Sequence, residues 1–281
     1  MMVEENFWYW LAGLLEGEGS FLAPIPAVPR KPRLSISMSD EDVIARVANA
    51  FGLKYFVRKQ RQSHHKIMYL SNMQGSTAIK IMRTIQPVMG IRRQQQIENA
   101  IVKSERDYEP ITEIKMPLQN SIHELHWLAG ILEGEGSFFP ANNHNPNLPT
   151  VRLWMTDEDI VARVAHIWNL KYQSYQRNEK VKTAYIVLLS GKRAVELMQQ
   201  LHPLMGIRRQ GQIDKALASY DPDFYRKSHM KQCALQPNEV RRVRQLLKQG
   251  YKHKEIAAMF DVKWTVIADI SCGRTWAWLE D

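Results

Sequence analysis

The chain is 281 residues long and 44% hydrophobic, with 38 Lys and Arg against 29 Asp and Glu, a formal charge of +9. That length suggests about two domains, and the basic excess suits a polyanionic partner, because neutralising phosphates releases counterions. Two cysteines, Cys233 and Cys272, cannot build a zinc site by themselves and point to a reducing, cytosol-like, DNA-containing compartment. No apolar run approaches the ~20 residues of a membrane span, Glu4 and Glu5 stand where a secretory leader needs positive charge, and no phosphate loop signals ATP use.

The helical period predicts a first helix over about Asn6 to Gly17, running straight into a strand near Ser20 to Ala23. Pro24 to Pro32 holds four prolines and is expected to be an extended loop. Arg33 to Met38 alternates strictly, which turns Leu34, Ile36 and Met38 to one face and Arg33, Ser35 and Ser37 to the other. Ser39 or Asp40 is placed to cap a helix that runs to Phe51 and stops at Gly52. A hairpin over Tyr55–Arg61 and Lys66–Ser71 follows, its first arm carrying Arg58, Lys59 and Arg61; helices over Thr77–Ile85 and Gln94–Ser104 complete the half.

The same plan then returns. Leu11-Ala-Gly-Leu-Leu-Glu-Gly-Glu-Gly-Ser-Phe21 reappears 117 residues later as Leu128-Ala-Gly-Ile-Leu-Glu-Gly-Glu-Gly-Ser-Phe138. Ser39-Asp-Glu-Asp matches Thr156-Asp-Glu-Asp, and Pro87-Val-Met-Gly-Ile-Arg-Arg-Gln94 matches Pro203-Leu-Met-Gly-Ile-Arg-Arg-Gln210. Two copies are too few for a solenoid, so the expectation is a pseudo-two-fold pair of half-domains in a monomeric chain. The predicted organisation is a half-domain over 1–109, a linker over 110–120, a half-domain over 121–220, a linker over 221–236 and a small helical domain over 237–281. The fold class is α+β, two αββαββα halves with antiparallel sheets plus an all-α tail.

Gly13 and Gly17 lie four apart on one helix face, as do Gly130 and Gly134, and small residues at that spacing let two helices approach closely. If the motif helices pack along this seam, Glu18 and Glu135 meet at the axis. Close carboxylates repel unless a cation sits between them, and a hard divalent ion such as Mg²⁺ suits oxygen ligands. Acids at a helix C-terminus oppose the macrodipole, so the repeated placement costs stability without a ligand. Paired carboxylates in a basic protein point to metal-dependent phosphodiester hydrolysis.

Leu11–Phe21 and Leu128–Phe138 resemble the two signature motifs of the LAGLIDADG homing endonucleases of single-chain, two-repeat type. The resemblance covers about residues 7–219. It implies two sheets forming a saddle on double-stranded DNA, both strands being cut, with the second acid of each motif, Glu18 and Glu135, holding the catalytic metal. The family's usual residue there is Asp. Its basic active-site residue falls on Arg92 and Arg208, to which the resemblance gives electrostatic support of phosphate; a water-positioning role would fall on Asp40 and Asp157, for which helix capping weighs more heavily. The expected DNA contacts are Arg33, Ser35, Ser37, Arg58, Lys59, Arg61, Arg152, Trp154, Tyr175 and Arg177, since polar and Arg side chains read base edges.

In the tail, three short amphipathic segments joined by tight turns fit a helix-turn-helix. They resemble modules appended to some homing endonucleases, with Lys263, Trp264, Thr265 and Arg274 as candidate DNA contacts and Asp261 at the turn in a left-handed conformation. Two other readings differ in class: an intron RNA maturase, and a catalytically inactive DNA-binding regulator. His64, His65, His123 and His126, without Cys or acid partners at metal spacing, are expected to be surface or packing residues rather than metal ligands.

Overall fold

A computed structural model describes residues 4–24, 31–58, 66–104, 108–112, 121–176, 178, 181–224 and 234–279. The described chain divides into two compact units at Tyr220/Asp221. The first unit contains both repeats.

The first repeat runs α1 (Glu5–Glu18), β1 (Gly19–Leu22), β2 (Arg33–Met38), α2 (Glu41–Ala50), β3 (Tyr55–Arg58), β4 (Met68–Gln74), α3 (Gly75–Ile85) and α4 (Ile91–Val102). The second runs α5 (Ser121–Glu135), β5 (Gly136–Phe139), β6 (Thr150–Met155), α6 (Glu158–Ile167), β7 (Gln173–Tyr175), β8 (Ala184–Ser190), α7 (Lys192–Leu201) and α8 (Ile207–Ala218). Each half thus follows the αββαββα plan and closes on one further helix. Both sheets are four-stranded and antiparallel, ordered β1-β2-β4-β3 and β5-β6-β8-β7. The anticipated hairpin of the first half is the β3–β4 pair; Lys59 and Arg61 lie outside the described residues, as does most of the proline-rich loop.

Alternation fixes which face of each sheet is dry. Leu34, Ile36 and Met38 of β2, and Val151, Leu153 and Met155 of β6, are buried against the helices, while Arg33 and Trp154 on the opposite faces are exposed. α1 is different, because every residue from Trp8 to Glu16 is buried. A helix apolar on all sides has to be enclosed on all sides, and α1 is enclosed because α5 packs along it and the helix-covered sheets close the rest. Trp8, Trp10 and Trp127 have no exposed surface and belong to the core.

The second unit contains α9 (Pro237–Lys248), α10 (His253–Met259) and α11 (Trp264–Ser271) around a separate core of Val240, Val243, Ile256, Ile267 and Trp276. Asp261, in the turn between α10 and α11, has φ +49°, the left-handed conformation expected of it. No helix among the described residues is long and apolar enough to cross a membrane.

Candidate active site at the repeat seam

At Gly13 and Gly130, α1 and α5 meet backbone to backbone. A Cβ added at Gly13 would lie 2.1 Å from the Trp127 carbonyl oxygen, and one at Gly130 would lie 2.0 Å from that of Trp10. One turn further on, the glycines make room for the acids. A Cβ at Gly17 would sit 2.8 Å from Glu135 Cγ, and one at Gly134 would sit 3.1 Å from Glu18 Cγ. Each half-buried motif acid therefore lies over the glycine that precedes its counterpart, and Glu18 and Glu135 come together at the pseudo-two-fold seam.

Around this pair the two repeats are cross-linked by charge. The Gly90 N–H donates to Glu16 Oε2 at 2.7 Å and the Ile91 N–H to Asp159 Oδ2 at 2.8 Å, so the start of α4 is capped by acids from α1 and from the other repeat. The symmetry mates are Gly206 N–H to Glu133 and Ile207 N–H to Asp42. Since these caps are remote in sequence, α4 begins at Ile91, not at Gln94 as expected from local signals; Arg92 and Arg93 lie in its first turn.

The arginines divide the labour. Arg93 donates through Nε to the Glu16 carbonyl and through Nη2 to the Gly17 carbonyl, both at 2.9 Å, and its guanidinium is buried. Arg209 does the same for Glu133 and Gly134. Arg92 is held by Asp157 of the other repeat in a two-bond fork of 2.7 and 2.6 Å, and Arg208 by Asp40. This corrects one expectation: Asp40 and Asp157 stand at the helix starts but make no side-chain cap bond, because an arginine has taken the carboxylate. Arg92 and Arg208, each paired to an aspartate, remain partly exposed beside the site. Sequence reasoning missed Arg93, Arg209, Glu16 and Glu133 as organising residues, although the doubled Arg-Arg and the first acid of each motif were in view.

Burial raises the pKa of Glu18, and the neighbouring Glu135 charge raises it further, against the Arg209 cation. Burial raises Glu135 too, opposed by Arg93 and then Arg209. Glu16 is pushed from 4.5 to about 7, chiefly by burial and against the Gly90 N–H and Arg93. A raised acid stabilises the fold below its unfolded pKa and loses that contribution as pH rises through the folded value. Stability is therefore expected to fall between about pH 4.5 and pH 7, by up to roughly 3 kcal/mol from this group. Glu16→Gln should flatten that stretch of the curve, which urea titrations at stepped pH will measure; an unchanged slope would contradict the assignment.

The remaining candidates of the first unit sit on the sheet faces opposite the buried Leu34 and Val151 sides. Arg33, Ser35 and Ser37 line that of the first sheet, with Arg58 at the end of β3. Arg152, Trp154 and Tyr175 share that of the second; the Trp154 and Tyr175 rings meet edge to face at 5.8 Å. Arg177 lies outside the described residues. In the second unit, Lys263, Trp264 and Thr265 are exposed at the start of α11, whereas Arg274 is ion-paired to Asp269 at 3.0 Å. His123 stacks on Tyr9 with centroids 4.0 Å apart; His64 and His65 lie outside the described residues. No cluster of three or more His, Cys, Asp or Glu among the described residues could by itself hold a metal ion.

No family model and no curated protein matches the chain. Among solved structures it is similar to the LAGLIDADG meganuclease I-AabMI bound to uncleaved DNA, with a TM-score of 0.51, 15% identity, and coverage of 79% of this chain and 93% of that one. The I-LtrWI LAGLIDADG homing endonuclease bound to target DNA gives 0.49 at 13% identity, covering 80% and 92%, and I-GzeII in complex with its DNA target gives 0.48 at 14%, covering 79% and 92%. Over about four-fifths of its length, the chain has the two-repeat α+β fold of a LAGLIDADG meganuclease.

Proposed function

We propose that this protein is a site-specific, divalent-metal-dependent double-strand DNA endonuclease. The observation that carries the reading is the meeting of Glu18 and Glu135 where two pseudo-symmetric halves touch. Two neighbouring carboxylates, the charge of Glu135 raising the pKa of Glu18 beyond the effect of burial, fit a hard cation such as Mg²⁺, which is commonly held by one or two carboxylates together with substrate phosphates. Metal ions bound there would activate a water and stabilise the leaving oxygen of a phosphodiester.

The chain's own residues position that chemistry. Arg93 and Arg209 satisfy the carbonyls at the ends of α1 and α5, fixing the helix ends that carry the acids. The Arg92–Asp157 and Arg208–Asp40 forks hold guanidinium groups beside the site, each still partly exposed and able to lie near phosphate. The outer sheet faces with Arg33, Ser35, Ser37, Arg58, Arg152, Trp154 and Tyr175, and the net charge of +9, suit a long duplex in a DNA-containing compartment. Lys263, Trp264 and Thr265 give the helical tail a surface for a further duplex contact of helix-turn-helix type.

The test is Mg²⁺-dependent cleavage of genomic DNA, with the ends mapped by sequencing and the Glu18→Gln/Glu135→Gln protein as control. One recurrent break, lost in the double variant, is expected. Tight duplex binding without cutting in any divalent metal would overturn the enzyme in favour of a DNA-binding regulator; preference for intron RNA would favour a maturase.

A further inference from the structure

The two outer faces share a backbone plan but differ in chemistry. The register pairs Ser35 with Asn72 and Ser37 with Leu70 in the first sheet; the equivalent pairs in the second are Arg152 with Leu188 and Trp154 with Ile186. At the Ser35–Asn72 pair the first sheet thus presents small hydrogen-bonding groups where the second presents an arginine beside a leucine.

The second face is also built as a pocket. A cavity of about 610 Å³ is walled by Phe139, Pro140, Leu148 and Leu188, with Arg152 and Thr150 beside them. Its wall is fixed by the β5–β6 loop, where Asn142 Oδ1 accepts the N–H groups of His144 at 2.9 Å and Asn145 at 3.0 Å. The Thr150 and Ser190 hydroxyls meet at 2.8 Å along its edge. Arg152 is pre-stacked, its guanidinium carbon 4.6 Å from the Phe139 ring centre and 5.6 Å from that of Trp154. Its Nε is enclosed and has no hydrogen-bond partner among the described residues. Leu188, at 46% exposure, and Phe139, at 38%, are large apolar groups open to solvent.

In the major groove, an Arg fork matches guanine O6 and N7, and an apolar contact matches the thymine 5-methyl group. A stacked Arg is already oriented, so less rotamer freedom is lost when it binds. We infer that the outer face of the second sheet reads a guanine through Arg152 and the methyl group of an adjacent thymine through Leu188 and Phe139, whereas the Ser35–Asn72 pair at the equivalent place in the first sheet reads its base by hydrogen bonds. This rests on the endonuclease reading above and adds to it the base chemistry of one half of the target.

The experiment starts from duplexes selected by the full-length protein from a randomised pool. Thymines in each half-site are then replaced in turn by deoxyuridine, which keeps base pairing and removes only the methyl group. Substitution of the contacted thymine in one half-site is expected to weaken binding about four-fold, the worth of one buried methyl group, and in the other less than about two-fold. Arg152→Ala should erase a guanine preference of about ten-fold or more in the methyl-sensitive half-site alone. Leu188→Asn, which installs the residue of the first sheet at an exposed position, should remove the methyl sensitivity and leave the guanine preference.

Because the uridine series alters only the DNA, a folding defect cannot mimic its outcome. Selected duplexes indifferent to uridine in both half-sites, or a guanine preference untouched by Arg152→Ala, would overturn the inference and leave the endonuclease reading standing. Failure to select any duplex would remove both.

Discussion

Gly13→Ala is expected to destroy the cooperative folding of the unit that ends at Tyr220. The added Cβ would lie 2.1 Å from the Trp127 carbonyl oxygen and 2.8 Å from the Ile131 nitrogen. Both are backbone atoms of α5, so no rotamer change relieves the clash; the helices must part along a seam that buries Trp10, Leu14, Trp127 and Ile131 completely. Separation would lose close packing over the whole interface, and a cost above about 4 kcal/mol is expected, at the extreme of single substitutions. Gly130→Ala should behave alike, its Cβ lying 2.0 Å from the Trp10 carbonyl oxygen. Gly211→Ala is the control: this glycine lies inside α8, its Cβ would meet nothing within 4 Å, and helix propensity alone should add up to about 1 kcal/mol. Guanidinium unfolding followed by circular dichroism separates these outcomes, and a Gly13→Ala protein within about 1 kcal/mol of the parent would refute the backbone contact.

The second large effect is expected at Arg93. Its guanidinium satisfies the carbonyls of Glu16 and Gly17 at the end of α1 and bonds Gln96 Oε1 at 3.0 Å, while its Nε lies 3.9 Å from the fully buried Glu16 carboxylate. Arg93→Met keeps much of the side-chain length and removes every donor. Two carbonyls at the negative end of a helix, and an acid with no exposed surface, then lose their cation. Breaking a buried pair from one side typically costs about 3–5 kcal/mol, because the remaining charge stays desolvated. Arg93→Lys should recover only part of this, since a single ammonium cannot reproduce a fork spanning two carbonyls. Unfolding at pH 8 is the measurement. At pH 5 the loss should shrink, because Glu16, with its pKa near 7, is then largely neutral and needs no partner. A pH-independent loss would assign the effect to the carbonyls alone.

Why these positions matter separates what the chain reveals locally from what it does not. The period-two alternation of Arg33–Met38 and Thr150–Met155 fixed the dry and wet faces of both sheets, since side-chain direction along a strand depends only on parity. The duplicated motif likewise marked the seam: a glycine four residues before another glycine, repeated 117 residues on, permits close helix packing, and where the two helices meet the adjoining Glu18 and Glu135 come together.

Local signals failed where the partner lies far along the chain. The start of α4 was legible only three residues late, because its cap is not Gly90 or a neighbour but Glu16 and Asp159, which lie 74 and 68 residues away. Asp40 and Asp157 have the residue type and position of caps, yet the forks from Arg208 and Arg92 claim their carboxylates. Which arginine of each Arg-Arg pair turns inward was likewise undecided by composition. The helix sets a rotation of about 100° between neighbours, and only the packing of α4 and α8 against the ends of α1 and α5 determines that Arg93 and Arg209 face the buried carbonyls, leaving Arg92 and Arg208 at the surface. Sequence alone settled the elements, their faces and the repeated acids, which depend on local periodicity; tertiary structure decided the partners of the charges, because burial and distance exist only once the two repeats have closed on each other.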